Sequence, residues 1–468
     1  MPVSLSTMRS RKAEGNREAK SRDSSSDKAS LAASSSASSR AIAYPPPTAP
    51  STSQDAALAC LPLSTVLRTY LMTAVSSSPA LLGACSAVLT RMLESKSFVT
   101  DIERNPVLRL VLRETFYKQY CAGSNKAEVT QTKHNLQAVG YDGVILEHAL
   151  EMLKEDLVNA NEEKDVAWWV ENMLTSIEIA APGDFLGVKW SGLGTHALQR
   201  LKAKQQPSPL MDKAIRQVCD AAAAKGVRLL PAAEETTTTP TIDEWSMAMQ
   251  RVYNRGRSAV IYNTYQCYLK STAGQISKHL AMAKADGHIL GLKLVRGAYL
   301  HSEPRHLIWP TIESTHNNYD SITASLLKRK YTETLQPVSG NASEELPEIN
   351  VVLATHNATT VRKAQALRTE QIQNGEELVP LAYGQLQGMA DEVSCELLQA
   401  SKGDASDKKV VDVPKVFKCS CWGTMKECLN YLLRRAAENK DAATRTRETR
   451  LAMGGELRKR MRAVFGLA

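Results

Sequence analysis

Eight short apolar runs, separated by stretches that favour helix, constrain the fold of this chain more than any other feature. Each run is four to six residues long and carries mainly aliphatic side chains. The intervening stretches, such as 209–225 and 268–284, are long enough for a helix. Eightfold strand–helix alternation indicates an α/β fold of the TIM-like (β/α)8 barrel type, in which all strands are parallel and buried. The runs are 143–147, 185–190, 227–230, 259–263, 290–295, 350–354, 381–385 and 415–418.

Composition divides the chain into three parts. Residues 1–55 are predicted to be a disordered N-terminal targeting segment, because the first forty contain thirteen Ser, eight Lys or Arg and almost no large apolar residue. Four acidic residues there fit a mitochondrial transit peptide poorly, so a disordered tail without a targeting role stays open. Residues 56–140 predict an N-terminal helical arm. Residues 141–468 carry the barrel, with loop insertions at 337–346 and 401–409.

The positive charge of the chain is confined to its two ends. The formal charge is +9, and residues 1–40 hold eight Lys or Arg against four Asp or Glu. Residues 445–468 hold seven against two, which leaves the middle of the chain neutral. A nucleic-acid groove needs a basic stripe interleaved with aromatic residues, so no nucleic-acid partner is predicted.

The nine cysteines are scattered and odd in number, which predicts a reducing compartment and no disulfide framework. Only Cys419, Cys421 and Cys428 lie close together in sequence. They lack a C-x-x-C spacing and a nearby pair of histidines, so no metal site is predicted there.

Hydropathy predicts that any membrane contact is made from the surface. No run of eighteen apolar residues exists, and the longest uncharged stretch, 69–90, is interrupted by Ser and Pro at 76–79. The C-terminal run 458–465 is basic and amphipathic. It is predicted either to dock on its own barrel or to contact anionic lipid.

A helical run from 425 to 440 concentrates polar groups on one side. Tyr431, Arg434, Arg435 and Glu438 lie at offsets 0, 3, 4 and 7, within one narrow arc of a helix. Two adjacent guanidinium groups beside a phenol can hold a carboxylate or phosphate, although a solvated face is the commoner explanation of such a pattern. A capping box of Thr424 and Glu427 is predicted at the start of this helix.

Polar residues follow most of the predicted strands, where barrel enzymes carry their chemistry. The polar residues and segments at the strand ends are Lys189, 232–234, 265–266, 293–299, 355–357, 385–391 and 419–423. Gly192 and Gly194 after the second strand also fit a dinucleotide-binding pattern. That alternative is disfavoured because the strand is second in the alternation and Asp212, twenty residues on, lies in a helical run.

Six motifs in order resemble the proline dehydrogenases, flavin enzymes built on a distorted (β/α)8 barrel. The resemblance spans roughly residues 63–467 and is strongest to the fungal mitochondrial branch. The motifs are Cys-Ala-Gly at 121–123, Tyr-Asn-Thr-Tyr-Gln at 262–266, Gly-Leu-Lys-Leu-Val-Arg-Gly-Ala-Tyr at 291–299, Ala-Thr-His-Asn at 354–357, Gly-Gln-Leu-Gln-Gly-Met-Ala-Asp at 384–391 and the 431–439 run.

This resemblance implies an oxidoreductase acting on CH–NH donors. It implies FAD-dependent oxidation of L-proline to 1-pyrroline-5-carboxylate, the first step of proline catabolism. The electrons would pass to a quinone, and the protein would lie in the mitochondrion on the matrix side of the inner membrane, with peripheral membrane contact.

The resemblance also implies roles for individual residues. Lys293, Lys189 and Tyr299 would be catalytic. The substrate would be held by Lys189, Tyr431, Arg434, Arg435 and Glu438. The residues implied to bind the cofactor are Gln266, Lys293, Val295, Arg296, Gly297, Ala298, Thr355, His356, Asn357 and Gln385.

Two positions depart from the family pattern. The family usually has an Asp near the flavin where Ala232 stands, with Glu234 or Glu235 as the nearest candidates for a substitute carboxylate. A usual tyrosine twelve residues before Tyr431 is replaced by Cys419. These departures favour one alternative, a catalytically impaired flavin- or proline-binding paralogue. Hydroxyproline dehydrogenase is the other alternative.

Overall fold

A computed structural model describes residues 57–149, 161–400, 412–438 and 443–466, except positions 96, 98, 99, 103 and 342. The predicted targeting segment 1–55 and the predicted insertion 401–409 both lie outside the described residues. The insertion 337–346 contains no helix or strand among its described positions, and Leu346 at its end is buried.

The centre of the molecule is a parallel (β/α)8 barrel, as predicted. Its strands follow the order β4-β3-β2-β9-β8-β7-β6-β5. A parallel bridge between Leu229 and Ile261 joins the two ends of that order, with the Leu229 N–H 2.7 Å from the Val260 carbonyl oxygen. The strands are β1 Cys121–Gly123, β2 Gly143–His148, β3 Phe185–Val188, β4 Arg228–Pro231, β5 Asn263–Gln266, β6 Leu290–Val295, β7 Ile349–Ala354, β8 Leu381–Leu386 and β9 Lys415–Trp422.

The strand predicted at 259–263 begins later than expected, at Asn263. The reason is the buried side chain of Asn254, whose Oδ1 accepts hydrogen bonds from the N–H groups of Val260 and Ile261 at 2.8 and 2.9 Å. These N–H groups are therefore satisfied by a side chain instead of a neighbouring strand.

Strand β1 lies in the segment predicted to be a helical arm. The Cys-Ala-Gly sequence that interrupts the helical pattern pairs in parallel with β9, with Cys121 opposite Cys421. Sequence periodicity cannot show this strand because it is only three residues long.

The helices alternate with the barrel strands and bury their apolar faces against them. Their ends carry the expected signals: Ser208 caps the helix that starts at Pro209, and Gly226 ends it in the left-handed conformation. The helices are α1 Leu63–Ser76, α2 Pro79–Glu94, α3 Pro106–Leu112, α4 Lys118–Tyr120, α5 Lys126–Val139, α6 Glu162–Ile179, α7 Thr195–Lys202, α8 Pro209–Lys225, α9 Thr239–Tyr253, α10 Thr272–Asp286, α11 Ile312–Leu327, α12 Ala358–Gln373, α13 Asp391–Ala400, α14 Met425–Glu438 and α15 Ala443–Val464.

Aromatic and aliphatic side chains fill the barrel interior. Phe185 makes edge-on contacts with Tyr262 and Phe417, with ring centroids 5.6 and 4.9 Å apart. Ile145 and Val352 belong to the same inner cluster. Because the interior is packed, chemistry is confined to the mouth where the strands end.

The arm and the last helix form a separate layer. Helix α15 packs against α1, where Met453 and Val66 are fully buried in one cluster. No single helix in the described part of the chain is long and apolar enough to cross a membrane. Helices α1 and α2 meet the length and composition criteria only as a pair, bent by 98°.

Asp391, the last residue of the 384–391 motif, forms a buried ion pair that generates the first prediction. Its Oδ1 lies 2.7 Å from the Lys418 ammonium, and the two side chains are 6% and 2% exposed. Replacing Asp391 by Ala leaves that ammonium buried without its counter-charge and should lower the free energy of unfolding by about 3–5 kcal/mol. Glu114→Ala, which breaks the exposed pair with Lys118, should cost less than about 1 kcal/mol. Urea unfolding measures both, and equal losses would contradict the buried-pair assignment.

Candidate functional site

Helix α14, called here the arginine helix, follows directly from the last barrel strand. Its capping box is confirmed: the Thr424 N–H donates to Glu427 Oε2 at 2.8 Å, and the Glu427 N–H donates to Thr424 Oγ1 at 3.3 Å. Its apolar side contacts the arm, where Leu429 is buried beside Leu89 and Leu112. The arm therefore fixes the direction in which the polar side of this helix points.

Glu147, at the end of β2, is the centre of the site. Its Oε2 accepts a hydrogen bond from the Tyr431 hydroxyl at 2.7 Å, which joins the first barrel strand to the arginine helix. Gly187 on β3 makes room for this side chain, because a Cβ there would lie 2.7 Å from Glu147 Cγ. Glu147 is absent from the residues predicted from sequence. The sequence does contain a signal for Glu147. Glu147 is a charged residue at the end of one apolar run, just as Lys189 is at the end of the next.

Several cations surround this carboxylate. Burial alone would raise the pKa of Glu147, but Lys293, the Tyr431 hydroxyl, Lys189 and Arg435 together hold it below its usual value. Glu147 is therefore ionised at neutral pH. Three of these four neighbours are cationic, which leaves the immediate group with an excess of positive charge. Such a mouth favours anionic ligands.

The arginine helix contributes an aromatic wall beside the cations. The Arg435 guanidinium lies over the Tyr431 ring, 5.6 Å from its centroid. Burial and then the negative charge of Glu147 raise the pKa of Tyr431 well above its usual value, so the phenol stays protonated and donates. Burial and the same carboxylate also raise the pKa of Cys419. Cys419 thus lies beside Glu147.

A second group connects the ends of β5 and β6. The buried Gln266 amide donates to the Glu234 carbonyl oxygen at 2.9 Å and accepts from the Ala298 N–H at 3.1 Å. Gly297 has a φ of +151°, and a Cβ there would lie 2.4 Å from Tyr268. Glycine is therefore required by packing against Tyr268, while the backbone at 297–298 is exposed at the mouth.

Glu234 lies beside the turn after β3. Its carboxylate accepts a hydrogen bond from the Ser191 hydroxyl at 2.5 Å, which ties it to the turn after β3. Gly192 and Gly194 belong to this turn, which leads into the eight-residue helix α7 beside a barrel strand. The barrel topology excludes the doubly wound sheet that the dinucleotide-binding alternative requires.

A third group lies at the ends of β6, β7 and β8. Arg296 donates to Thr355 Oγ1 at 2.6 Å, Thr360 Oγ1 at 2.8 Å and His316 Nδ1 at 2.9 Å, and it lies over the Tyr319 ring. These contacts hold its guanidinium group in one orientation.

Neighbouring predicted residues also make defined protein contacts. His356 Nε2 accepts from the Leu386 N–H at 3.0 Å. Gln385 donates to the Thr355 carbonyl oxygen at 3.3 Å and accepts from the Ser394 hydroxyl at 3.1 Å. Asn357 caps α12 by accepting the Thr360 N–H at 2.9 Å. These three predicted residues therefore help to build the protein frame around the barrel mouth.

The structure thus brings together Lys293, Lys189, Tyr431 and Arg435, four of the predicted residues, around Glu147. Val295 ends β6, and Arg296, Gly297, Ala298 and Tyr299 continue from it. Arg434 lies on the same helix, and the side chain of Glu438 lies outside the described residues.

The donor set fits a flavin and an anionic substrate. Reduced flavin carries negative charge at its pyrimidine edge, and a lysine such as Lys293 would stabilise that charge if a flavin were bound there. The exposed backbone at 297–298 and the fixed Arg296 suit a phosphate-containing chain. The residues present are therefore compatible with FAD.

Comparison with known proteins places this site in a family. A family model described as proline dehydrogenase matches residues 130–448, more than half of the chain. The chain belongs to the proline dehydrogenase family. Proline dehydrogenase 1, mitochondrial, from Drosophila melanogaster is 27% identical over 360 residues, which cover 70% of this chain and 49% of that protein. Probable proline dehydrogenase, mitochondrial, from Schizosaccharomyces pombe is 32% identical over 250 residues, covering 52% and 49%.

Other relatives extend this picture of the proline dehydrogenase family. The hydroxyproline dehydrogenase of Mus musculus is 27% identical over 402 residues, covering 75% of this chain and 83% of that protein. This chain spans about half the length of the Drosophila and S. pombe relatives. Proline utilization A from Bdellovibrio bacteriovorus shares the fold, with a TM-score of 0.56 at 14% identity, over 75% of this chain and 36% of that one.

The depressed pKa of Glu147 generates a prediction about stability. A carboxyl group whose pKa is lower in the folded protein stabilises it above the unfolded pKa, about 4.3 for Glu, and loses that contribution as the pH falls. Glu147→Gln should therefore be less stable than the wild type at pH 7, and the difference should narrow in acid. Urea unfolding at about pH 7 and at about pH 3 tests this expectation, because the contribution is lost only below the unfolded pKa of about 4.3. A difference that widens in acid would contradict it.

Proposed function

We propose that this protein oxidises L-proline to 1-pyrroline-5-carboxylate with FAD as its cofactor and passes the electrons to a quinone. The observation that carries the proposal is the cationic group around Glu147 at the barrel mouth, in a chain of the proline dehydrogenase family. The mitochondrial names of the relatives support a mitochondrial location for this protein. Within the mitochondrion, we propose the matrix side of the inner membrane.

The arginine helix supplies the binding of the substrate. Arg434 and Arg435 hold the proline carboxylate, since adjacent guanidinium groups can donate paired N–H bonds to it. Tyr431 and Tyr299 provide ring surfaces for the apolar part of proline. Glu438 is proposed to orient the arginines from one turn further along the helix.

Glu147, Lys189 and Lys293 form the side of the substrate position that the barrel strands contribute. Glu147 is ionised and can accept an N–H from the ring nitrogen of proline while it fixes Tyr431. Lys189, after β3, contacts the substrate and cofactor. Holding the ring at both its carboxylate and its nitrogen presents one carbon in a single orientation.

The remaining predicted residues hold the cofactor, which when bound supplies the hydride acceptor. Lys293 provides positive charge at its ring. Gln266, Thr355, His356 and Gln385 shape the surrounding frame. The residues proposed to line the rest of the cofactor site are Val295, Arg296, Gly297, Ala298 and Asn357.

Hydroxyproline is the second candidate substrate. Cys419, which lies beside Glu147, has a smaller side chain than the tyrosine usual in the family at this position. One relative is named hydroxyproline dehydrogenase. Initial rates on both amino acids at matched concentrations distinguish the two substrates.

Replacing Arg435 by Met tests the substrate role of the arginine helix. Losing a charge-assisted carboxylate contact should raise KM for proline about 30-fold or more, with a smaller change in kcat and with flavin still bound. Arg216→Met on the outer face of α8, where the side chain is 44% exposed, is the matched control and should leave KM unchanged. An Arg435→Met enzyme with the wild-type KM would contradict the carboxylate role.

We also propose that the arm and α15 contact the membrane from its surface. Leu63, Leu67 and Leu71, spaced four apart on α1, are 57%, 48% and 56% exposed. At the end of α15, Val464 and Phe465 are 81% and 74% exposed, beside basic side chains such as Arg462. The docking prediction for this run is supported as well, since Arg460 donates to the Leu61 carbonyl oxygen at 2.9 Å. The helix docks through one side and leaves its last turn exposed.

Co-sedimentation with vesicles tests the membrane contact. A Val464→Ser/Phe465→Ser double variant should bind vesicles containing anionic lipid several-fold more weakly than the wild type, because two exposed apolar side chains are removed. Val338→Ser, at a 65% exposed valine in the 337–346 insertion, should bind as the wild type does. Equal binding by all three proteins would exclude the end of α15 as the contact.

A further inference from the structure

Three thiols from distant parts of the sequence meet at the base of the arginine helix. Cys121 lies in β1, Cys421 in β9 and Cys428 in the first turns of the arginine helix. Their sulfur atoms all lie within 4.8 Å of one another, and the Cys121 and Cys421 sulfurs are 3.5 Å apart. All three residues are buried, in a cluster with Tyr117 and Ala149.

Burial alone does not explain this convergence. A free cysteine often packs as a small apolar residue, and Cys60 and Cys395 also lie with their sulfurs 3.5 Å apart. That pair has two sulfurs, whereas the group at the arginine helix has three. A cation bound at about 2.3 Å from three thiolates requires sulfurs about 3.8–4.0 Å apart, depending on whether the arrangement is tetrahedral or trigonal. The observed separations, from 3.5 Å to no more than 4.8 Å, bracket that value.

The dipole of the arginine helix favours an ionised sulfur at Cys428. Cys428 is the fourth residue of a fourteen-residue helix, near the positive end of its dipole. The group contains no carboxylate or histidine in the described part of the chain. A donor set made only of sulfur selects soft cations over Mg²⁺ or Ca²⁺.

We propose that Cys121, Cys421 and Cys428 form a three-thiolate site for a soft d10 cation, either Zn²⁺ or Cu⁺. Binding requires loss of the thiol protons to solvent and involves no change in the oxidation state of sulfur. The cation would fasten the arginine helix to both β9 and β1, and so to the arm. The sequence did not predict this site, because Cys421 and Cys428 lack a metal-binding spacing and their third partner lies 300 residues away from Cys421.

Metal titration of the full-length, flavin-loaded protein tests the site. Reduced, metal-free protein is titrated with Zn²⁺ alone and, in a separate anaerobic series, with Cu⁺ alone, and the metal retained after desalting is measured. The wild type should retain about one equivalent of the preferred cation, since the three thiolates make one site. Cys219→Ser, at a buried cysteine of α8, should retain as much. Cys121→Ser and Cys428→Ser should each bind at least about ten-fold more weakly.

Two further measurements keep the outcome decisive. The flavin spectrum and melting temperature of each variant show whether it has folded, and the cation should raise the melting temperature of the wild type but not of Cys428→Ser. Equal metal retention by the wild type and both site variants would overturn the proposal. A Cys121–Cys421 disulfide as the stable state in the purified protein, seen by mass as loss of the two thiol hydrogens, would overturn it as well.

Discussion

The hydrogen bond between Tyr431 and Glu147 is the contact on which the arrangement of the site depends. It joins the first strand of the barrel to the helix that follows the last strand, across 284 residues of sequence. An ionised carboxylate at a half-buried position is unfavourable without nearby positive charge, and Lys293, Lys189 and Arg435 supply it. Because these cations outnumber the carboxylate, the same group that stabilises Glu147 also attracts an anion. Anion binding at the site and the stability of its arrangement therefore both depend on the Glu147 side chain.

The arm has a physical reason to exist in this arrangement. The arginine helix is amphipathic, and its apolar side needs a partner that the barrel strands do not provide. Leu429 is buried against Leu89 and Leu112 from the arm, while α15 fixes the arm in turn through Met453. Changes in the arm are therefore expected to affect the position of Tyr431 and Arg435. The proposed thiolate site would reinforce this connection at the start of the helix, where Cys428 precedes Leu429.

Sequence periodicity was sufficient for the barrel, because eight buried strands leave a strong apolar pattern. It failed for β1, which is too short, and misplaced the start of β5, where Asn254 satisfies backbone groups. The polar face of the arginine helix and its capping box were predictable from spacing. Glu147 was missed although the same reasoning that selected Lys189 applied to it. The 384–391 motif shows a different limit: Asp391 pairs with Lys418 in the core, which sequence cannot distinguish from a role at the site.

Anaerobic absorbance spectroscopy of the purified protein tests the central claim most directly. If the barrel mouth binds flavin and oxidises proline, the protein is yellow, and adding L-proline without oxygen removes the flavin absorbance. Activity would also show that the site functions with Ala232 and Cys419 at the two positions that depart from the family pattern. A yellow protein whose spectrum stays unchanged with either L-proline or hydroxyproline would contradict the claim and favour a binding role. A protein that does not retain or take up FAD would contradict the cofactor assignment itself.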